Sequence, residues 1–349
     1  MAALTIADAR AQWSPAGVYL NTASYGLPPR AGWDALQAAL EDWRGGRTSW
    51  EHWGDATEAS RAAFARLTNV DAADVTVGAT VSGMVGLIAA SLPEGSRVVV
   101  PDIEFTSLLF PLMVQQGLGH LDVRMVPAER LVDAIADGAD VAAFSAVQMS
   151  TGEVADLDAI AAAAAAADVL TIVDGTQALG WLPLDASRFD VVTGAAYKWL
   201  MSPRGTAFAS LRPERLSSVQ PLTAGWYSGA DPHASYFGPP LRLAEDARRL
   251  DTSPAWFSWV GTQPALELLE QIGIDAVHAH DVGLANRFQA GLSLPPGDSA
   301  IVSVESDGAQ ERLERAGIMA ATRGGRLRTS WHLYNTDDDV DRVLDALVR

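Results

Sequence analysis

Lys198 is the only lysine in the chain; the other 24 of its 25 basic residues are arginines. A chain that uses Arg wherever a solvated cation suffices has kept one Lys, which suggests a task that a guanidinium cannot perform. An ammonium group that is desolvated or set beside another cation can lose its proton, whereas an arginine in a protein stays charged. A neutral lysine amine can form a Schiff base with a carbonyl, including the aldehyde of pyridoxal 5'-phosphate (PLP). Its neighbours Tyr197, Trp199 and Leu200, following the apolar run Phe189 to Val192, are not those of a surface lysine.

Asp174 closes the run Thr171-Ile172-Val173, 24 residues before the lysine. A carboxylate at the end of a buried strand is costly unless it is paired or hydrogen-bonded. It either caps the next helix or binds a protonated ring nitrogen, as PLP requires, because the pyridinium makes the ring an electron sink. Gln177 lies one turn further on and could reach the ring's phenolic oxygen.

The other candidates are less specific when taken alone. Gly78-Ala79-Thr80-Val81-Ser82-Gly83 joins a glycine and hydroxyls to a helix start. That is either an anion site or a plain N-cap at Thr80. Phe105 is a core residue or a stacking partner for a flat ring, and Gln148 could donate a hydrogen bond to a ligand oxygen. In Arg323-Gly324-Gly325-Arg326-Leu327-Arg328 the arginines form a solvated face or, if Leu327 and Trp331 mark a strand, put Arg326 and Arg328 on one face. A bidentate Arg is a natural clamp for a substrate α-carboxylate.

The elements that must position these residues are an alternation of short β-branched runs and helical runs. Strands are expected over 75–77, 97–100, 122–126, 141–145, 169–173, 191–193 and 206–210. Helices are expected over 81–91, 107–116, 129–136 and 156–167, with others over 30–44 and 58–67. Apolar strands separated by helices indicate a mostly parallel sheet covered on both faces, with ligands outside the strands' carboxyl ends. The tryptophan-rich stretch 44–53 is expected to be a lid or an interface, and 213–251 a connecting or lid region. Beyond it, helices over 262–271, 275–290, 310–316 and 337–348 and strands at 301–305 and within 324–332 indicate a smaller α+β lobe. Division into a large lobe over 15–235 and a smaller one over 1–14 and 236–349 follows.

Composition narrows the function. The formal charge of −18 argues against nucleic acid or an anionic membrane as partner. The absence of cysteine excludes disulfides, thiolate metal sites and a protein persulfide. No apolar run is long enough to span a membrane and the first ten residues do not read as a secretion signal, so a cytoplasmic location is expected. Gly78 and Gly83 do not form the glycine fingerprint of a dinucleotide-binding protein. A non-catalytic scaffold would not be expected to keep its one lysine.

With Val173-Asp174-Gly175-Thr176-Gln177-Ala178 and Tyr197-Lys198-Trp199-Leu200 in place, the chain resembles the class V aminotransferase family of fold-type I PLP enzymes, the group of cysteine desulfurases, kynureninase and isopenicillin N epimerase-like proteins. The resemblance runs from Tyr19-Leu20-Asn21 to Tyr334-Asn335-Thr336. It implies an α/β fold with a large PLP-binding domain and a smaller α+β domain, a homodimer, and PLP covalently held by Lys198. It further implies that Asp174 pairs with the pyridine nitrogen, Gln177 with the phenolic oxygen and Phe105 with the ring face. Ala79 and Thr80 fall in the phosphate loop, and Tyr197 takes the place of a phosphate contact. Asn21, Gln148 and Arg328 fall near the substrate, Arg328 at its carboxylate. Desulfurases carry Ser-x-His before the lysine, where this chain has Ala195-Ala196-Tyr197, and the loop that carries their cysteine has none here. The expected activity begins with an external aldimine of an α-amino acid and removal of its Cα proton. It ends in C–S β-elimination, with transamination or epimerisation as alternatives.

Overall fold

The computed structural model describes residues 4–348. Its strands are β1 (Val18–Tyr19), β2 (Val75–Gly78), β3 (Ser96–Pro101), β4 (Leu121–Val126), β5 (Val141–Ser145), β6 (Leu170–Asp174), β7 (Val191–Ala195), β8 (Ala207–Leu211), β9 (Ile301–Val304), β10 (Ile318–Met319), β11 (Ala321–Arg323) and β12 (Arg326–Ser330). Strands β2 to β8 form one seven-stranded sheet in the order β2-β8-β7-β6-β5-β3-β4. All neighbours in it run parallel except β8, which is antiparallel to both β2 and β7. This is the expected mostly parallel α/β sheet, and each expected strand of it lies within one or two residues of the observed one.

Both faces are buried because each strand alternates its side chains between two cores. Val99, Phe144, Val173, Val192 and Phe208 point to one side. There they meet Phe64 of the helix Trp50–Thr68, Ile160 of Leu157–Ala167 and Trp259, Leu266 and Leu269 of Trp256–Ile272. Val98, Val100, Ile172, Val191 and Ala209 point to the other, against Val85 and Ile88 of Val81–Ala89 and Leu108 and Leu112 of Thr106–Gly117. Each fully buried Val, Leu, Ile or Phe contributes about 1.5–3 kcal/mol.

A third core lies under the antiparallel sheet β11-β12-β9, where Leu327, Val302 and Val304 pack with Phe288, Trp331 and Val343. β12 is tied to the N-terminal segment: Ser330 donates its N–H to the Leu20 carbonyl at 3.0 Å and its Oγ to the same oxygen at 2.9 Å.

One expectation changes. The helix expected from Glu58 begins at Trp50, so the end of the stretch 44–53 is helical. Trp50 packs edge-on to Trp226 at 4.9 Å and lies 5.7 Å from Trp256. These contacts outweigh the modest helix propensity of Trp. No helix among the described residues is long and apolar enough to cross a membrane.

Candidate active site

The carboxyl ends of β5, β6 and β7 are level, with Ser145 opposite Asp174 and Asp174 opposite Thr193. Asp174 is therefore the last residue of a central strand, and Lys198 follows three residues after the end of β7. The lysine loop is closed by its own backbone: Ala196 donates to Thr206 O at 3.0 Å, and Met201, at φ +54°, to Lys198 O at 3.0 Å. Gly26 presses on it from the N-terminal segment, donating to Tyr197 O at 2.9 Å. A Cβ on Gly26 would overlap the Lys198 carbonyl oxygen, so only glycine fits there. Trp199 is fixed at both ends. Its indole N–H donates to Gln177 Oε1 at 2.8 Å, and its carbonyl lies 3.0 Å from His332 Nε2, whose Nδ1 is 2.7 Å from buried Asp281.

Ala79, Thr80, Phe105, Asp174, Gln177, Tyr197 and Lys198 line one cavity at this sheet edge. Lys198 Nζ lies 5.6 Å from the Phe105 ring centroid and 5.8 Å from that of Tyr197. Burial lowers the pKa of Lys198 to about 8; Arg328, Arg204 and Arg323 add to that, and Asp174 works against it. Burial raises the pKa of Asp174, while hydrogen bonds from Thr176 and the charge on Lys198 hold it down. Thr176 N–H occupies Asp174 Oδ1 at 2.8 Å. Beyond Thr176, the carboxylate accepts no hydrogen bond among the described residues.

Thr80 serves as an N-cap, accepting Gly83 N–H at 3.2 Å, and it also lines the cavity. Gln177 spends one amide hydrogen on Ala23 O at 2.9 Å and its oxygen on Trp199, which leaves one N–H. Arg328 is 1% exposed. It donates to Met149 O at 2.8 Å and Ser24 Oγ at 2.7 Å, its Nε has no partner, and no carboxylate lies within 4 Å of it among the described residues. Burial, with Arg323 nearby, lowers its pKa to about 10. It does not line the cavity itself, but Met149, which it holds, does.

Gln148 and Asn21 stand elsewhere. Gln148 does not line the cavity; its amide nitrogen donates to Glu104 Oε1 at 2.8 Å. Glu104 also takes Ser145 N–H at 2.7 Å and Ser145 Oγ–H at 2.5 Å. Asn21 bridges to Ser330 and likewise lies outside the cavity lining. Four neighbours were not singled out from sequence: Ser24, Glu104, Arg204 and Arg323. Arg204 lines the cavity with its guanidinium 4.6 Å over the Tyr197 ring. The available signal was an arginine six residues after a lysine whose amine must be neutral, since a neighbouring cation favours that state.

The donor set fits PLP: an amine whose pKa is lowered to about 8, a buried carboxylate in the cavity wall, an aromatic face, and a helix start carrying Thr80 and Ser82 hydroxyls.

The comparisons agree. Residues 18–318 match the family model of the class-V aminotransferases. Isopenicillin N epimerase from Streptomyces clavuligerus is 27% identical, over 82% of this chain and 83% of that one. Kynureninase from Deinococcus radiodurans is 28% identical, over 81% and 73%. The fold superposes on a cysteine desulfurase from Thermococcus onnurineus with a TM-score of 0.86, at 18% identity over 99% and 98% of the two chains. The chain thus belongs to the class-V aminotransferase family, whose cofactor is pyridoxal phosphate.

Proposed function

We propose that the protein is a PLP-dependent lyase that removes the Cα proton of an α-amino acid and releases a thiolate from its β-carbon. Bound PLP supplies the electron sink for the carbanion. In this reading Lys198 holds the cofactor's aldehyde carbon at rest and becomes the base once substrate has displaced it. Its amine, with the pKa lowered to about 8, has a far larger neutral fraction near physiological pH than an exposed lysine. Asp174 keeps a proton on the ring nitrogen, and the remaining N–H of Gln177 serves the phenolic oxygen. Phe105 covers the ring. Ala79, Thr80, Tyr197 and the start of the helix Val81–Ala89 take the phosphate, and Arg328 takes the α-carboxylate. Overall, an S-substituted cysteine and water give a thiol, pyruvate and ammonium.

One observation favours elimination over epimerisation. Among the cavity-lining residues there is no His, Glu or Cys; Lys198 is the one basic side chain with a pKa near neutrality. A single base on one face can take the Cα proton and return it to the departing thiolate on that face. Inversion at Cα calls for a proton donor on the opposite face. The sequence has no cysteine, so sulfur has no thiol of this chain to pass to and leaves in the product.

Incubation of PLP-loaded protein with S-alkyl cysteines and ordinary amino acids tests this. Thiol and pyruvate should appear in equal amounts from the conjugates. Keto acids formed from substrates without a β-leaving group, with no thiol from the conjugates, would replace elimination by transamination. A homodimer is proposed alongside, since Phe237 and Leu241 are 88% and 80% exposed in one chain; sedimentation velocity reads it.

A further inference from the structure

Arg323 closes β11 and stands across a Gly324-Gly325 turn from β12, which carries Arg328. The two guanidiniums meet at one neutral atom: Ser24 Oγ accepts Arg328 Nη2 at 2.7 Å and Arg323 Nη2 at 3.1 Å. Among the described residues neither has a carboxylate within 4 Å, although the chain carries 43 acidic residues. Arg326 on the same hairpin shows the ordinary alternative: it pairs with Glu305 at 2.6 Å. Two like charges sharing a hydroxyl repel each other; Arg323, half-buried, also donates to Thr322 O at 2.8 Å, and a bound anion would offset the repulsion.

Counting charges indicates how many. Asp174 is the one acid that lines the cavity, and it belongs to the ring nitrogen. Arg204 lines the cavity and sits over the ring of Tyr197, already assigned above to the phosphate, whereas Arg323 does not line it. An α-carboxylate satisfies Arg328. Arg323 is left without a counter-ion.

We propose that Arg323 binds a second anionic group, so that the substrate is an α-amino acid whose side chain ends in a carboxylate or a like anion. This rests on the reading of Arg328 as the α-carboxylate site. It deepens the proposed elimination by naming the substrate class: cysteine S-conjugates carrying an acid beyond the sulfur.

The test compares S-(carboxymethyl)cysteine with S-(carbamoylmethyl)cysteine, which has the same shape and a neutral amide end. Wild-type protein loaded with PLP should prefer the acid by at least about tenfold in kcat/KM, the size of one charge-assisted contact. Arg323→Gln should bring that ratio to within about threefold of unity, and Arg323→Lys should restore part of it. A wild-type ratio near unity, or a ratio unchanged in Arg323→Gln, overturns the proposal. A second measurement needs no turnover: titration of the cofactor's visible band with succinate and with propionate. Wild-type protein should bind the dicarboxylate at least about tenfold more tightly, and Arg323→Gln should not. If that preference holds while no thiol is released from any conjugate, the elimination reading fails and this one stands. Equal binding of the two acids overturns this one whatever the reaction.

Discussion

Arg61 and Arg328 are buried to the same degree, at 2% and 1% exposure, and their surroundings are opposite. Arg61 reaches Asp251 at 2.6 Å and Glu58 at 3.0 Å and donates to Val75 O. Asp251 in turn accepts Thr76 Oγ1 and Val77 N, each at 2.8 Å. The carboxylates drive the pKa of Arg61 up in spite of burial. Arg328 has a hydroxyl, a carbonyl, a thioether and an orphaned Nε, and its pKa falls. A buried cation whose counter-ions are built into the chain is architecture: it pins the helix Trp50–Thr68 to β2 and to the segment ending at Asp251. A buried cation whose counter-ion is missing is, in the reading proposed above, a receptor.

Stability breaks the comparison most forcefully. Arg61→Gln leaves Asp251 buried without its cation and should cost about 3–5 kcal/mol in urea unfolding. Arg328→Gln abandons no carboxylate and should stay within about 1 kcal/mol of the parent, on either side. Its loss should fall on function instead, about 10²–10³ in kcat/KM, as expected when a buried charge pair with the ligand is truncated. If Arg328→Gln unfolds as easily as Arg61→Gln, the two sites are not different in kind.

A smaller effect sharpens the contrast through Lys198. Only the neutral amine attacks an aldehyde, and burial with three arginines puts its pKa at about 8. The rate at which cofactor-free protein takes up PLP should therefore rise with pH with a midpoint near 8 and level off above it, well below the point expected of an exposed lysine. Removing the Arg328 charge removes a repulsion that favours the neutral amine, so in Arg328→Gln the midpoint should move upward, by less than about one pH unit. Arg61→Gln should not move it. Stopped-flow absorbance across pH reads both.

Much of this site is visible in one dimension because strand ends are local. Short, largely apolar runs announce β5, β6 and β7, and whatever follows them must converge at the sheet edge, which brings Asp174 and Lys198 to one cavity. Thr80, Phe105, Gln177 and Tyr197 come with them for the same reason. What sequence does not show is who faces whom across long separations. Gln148 is turned away by Glu104, 44 residues earlier, and nothing near either residue announces the pairing. Ser24 joins Arg323 and Arg328 over about 300 residues. The start of the helix at Trp50 depends on aromatic rings around 226 and 256. Propensity fixes the elements here, and tertiary contacts decide where one begins and which polar groups remain open.

The proposed chemistry depends on a single amine. Borohydride reduction of the PLP-loaded protein, followed by peptide mass spectrometry, should place the reduced cofactor on the peptide containing Lys198 and on no other, and Lys198→Ala should show neither the adduct nor the visible Schiff-base band. Bound cofactor with an unlabelled Lys198 peptide, or a band unchanged in Lys198→Ala, would contradict it.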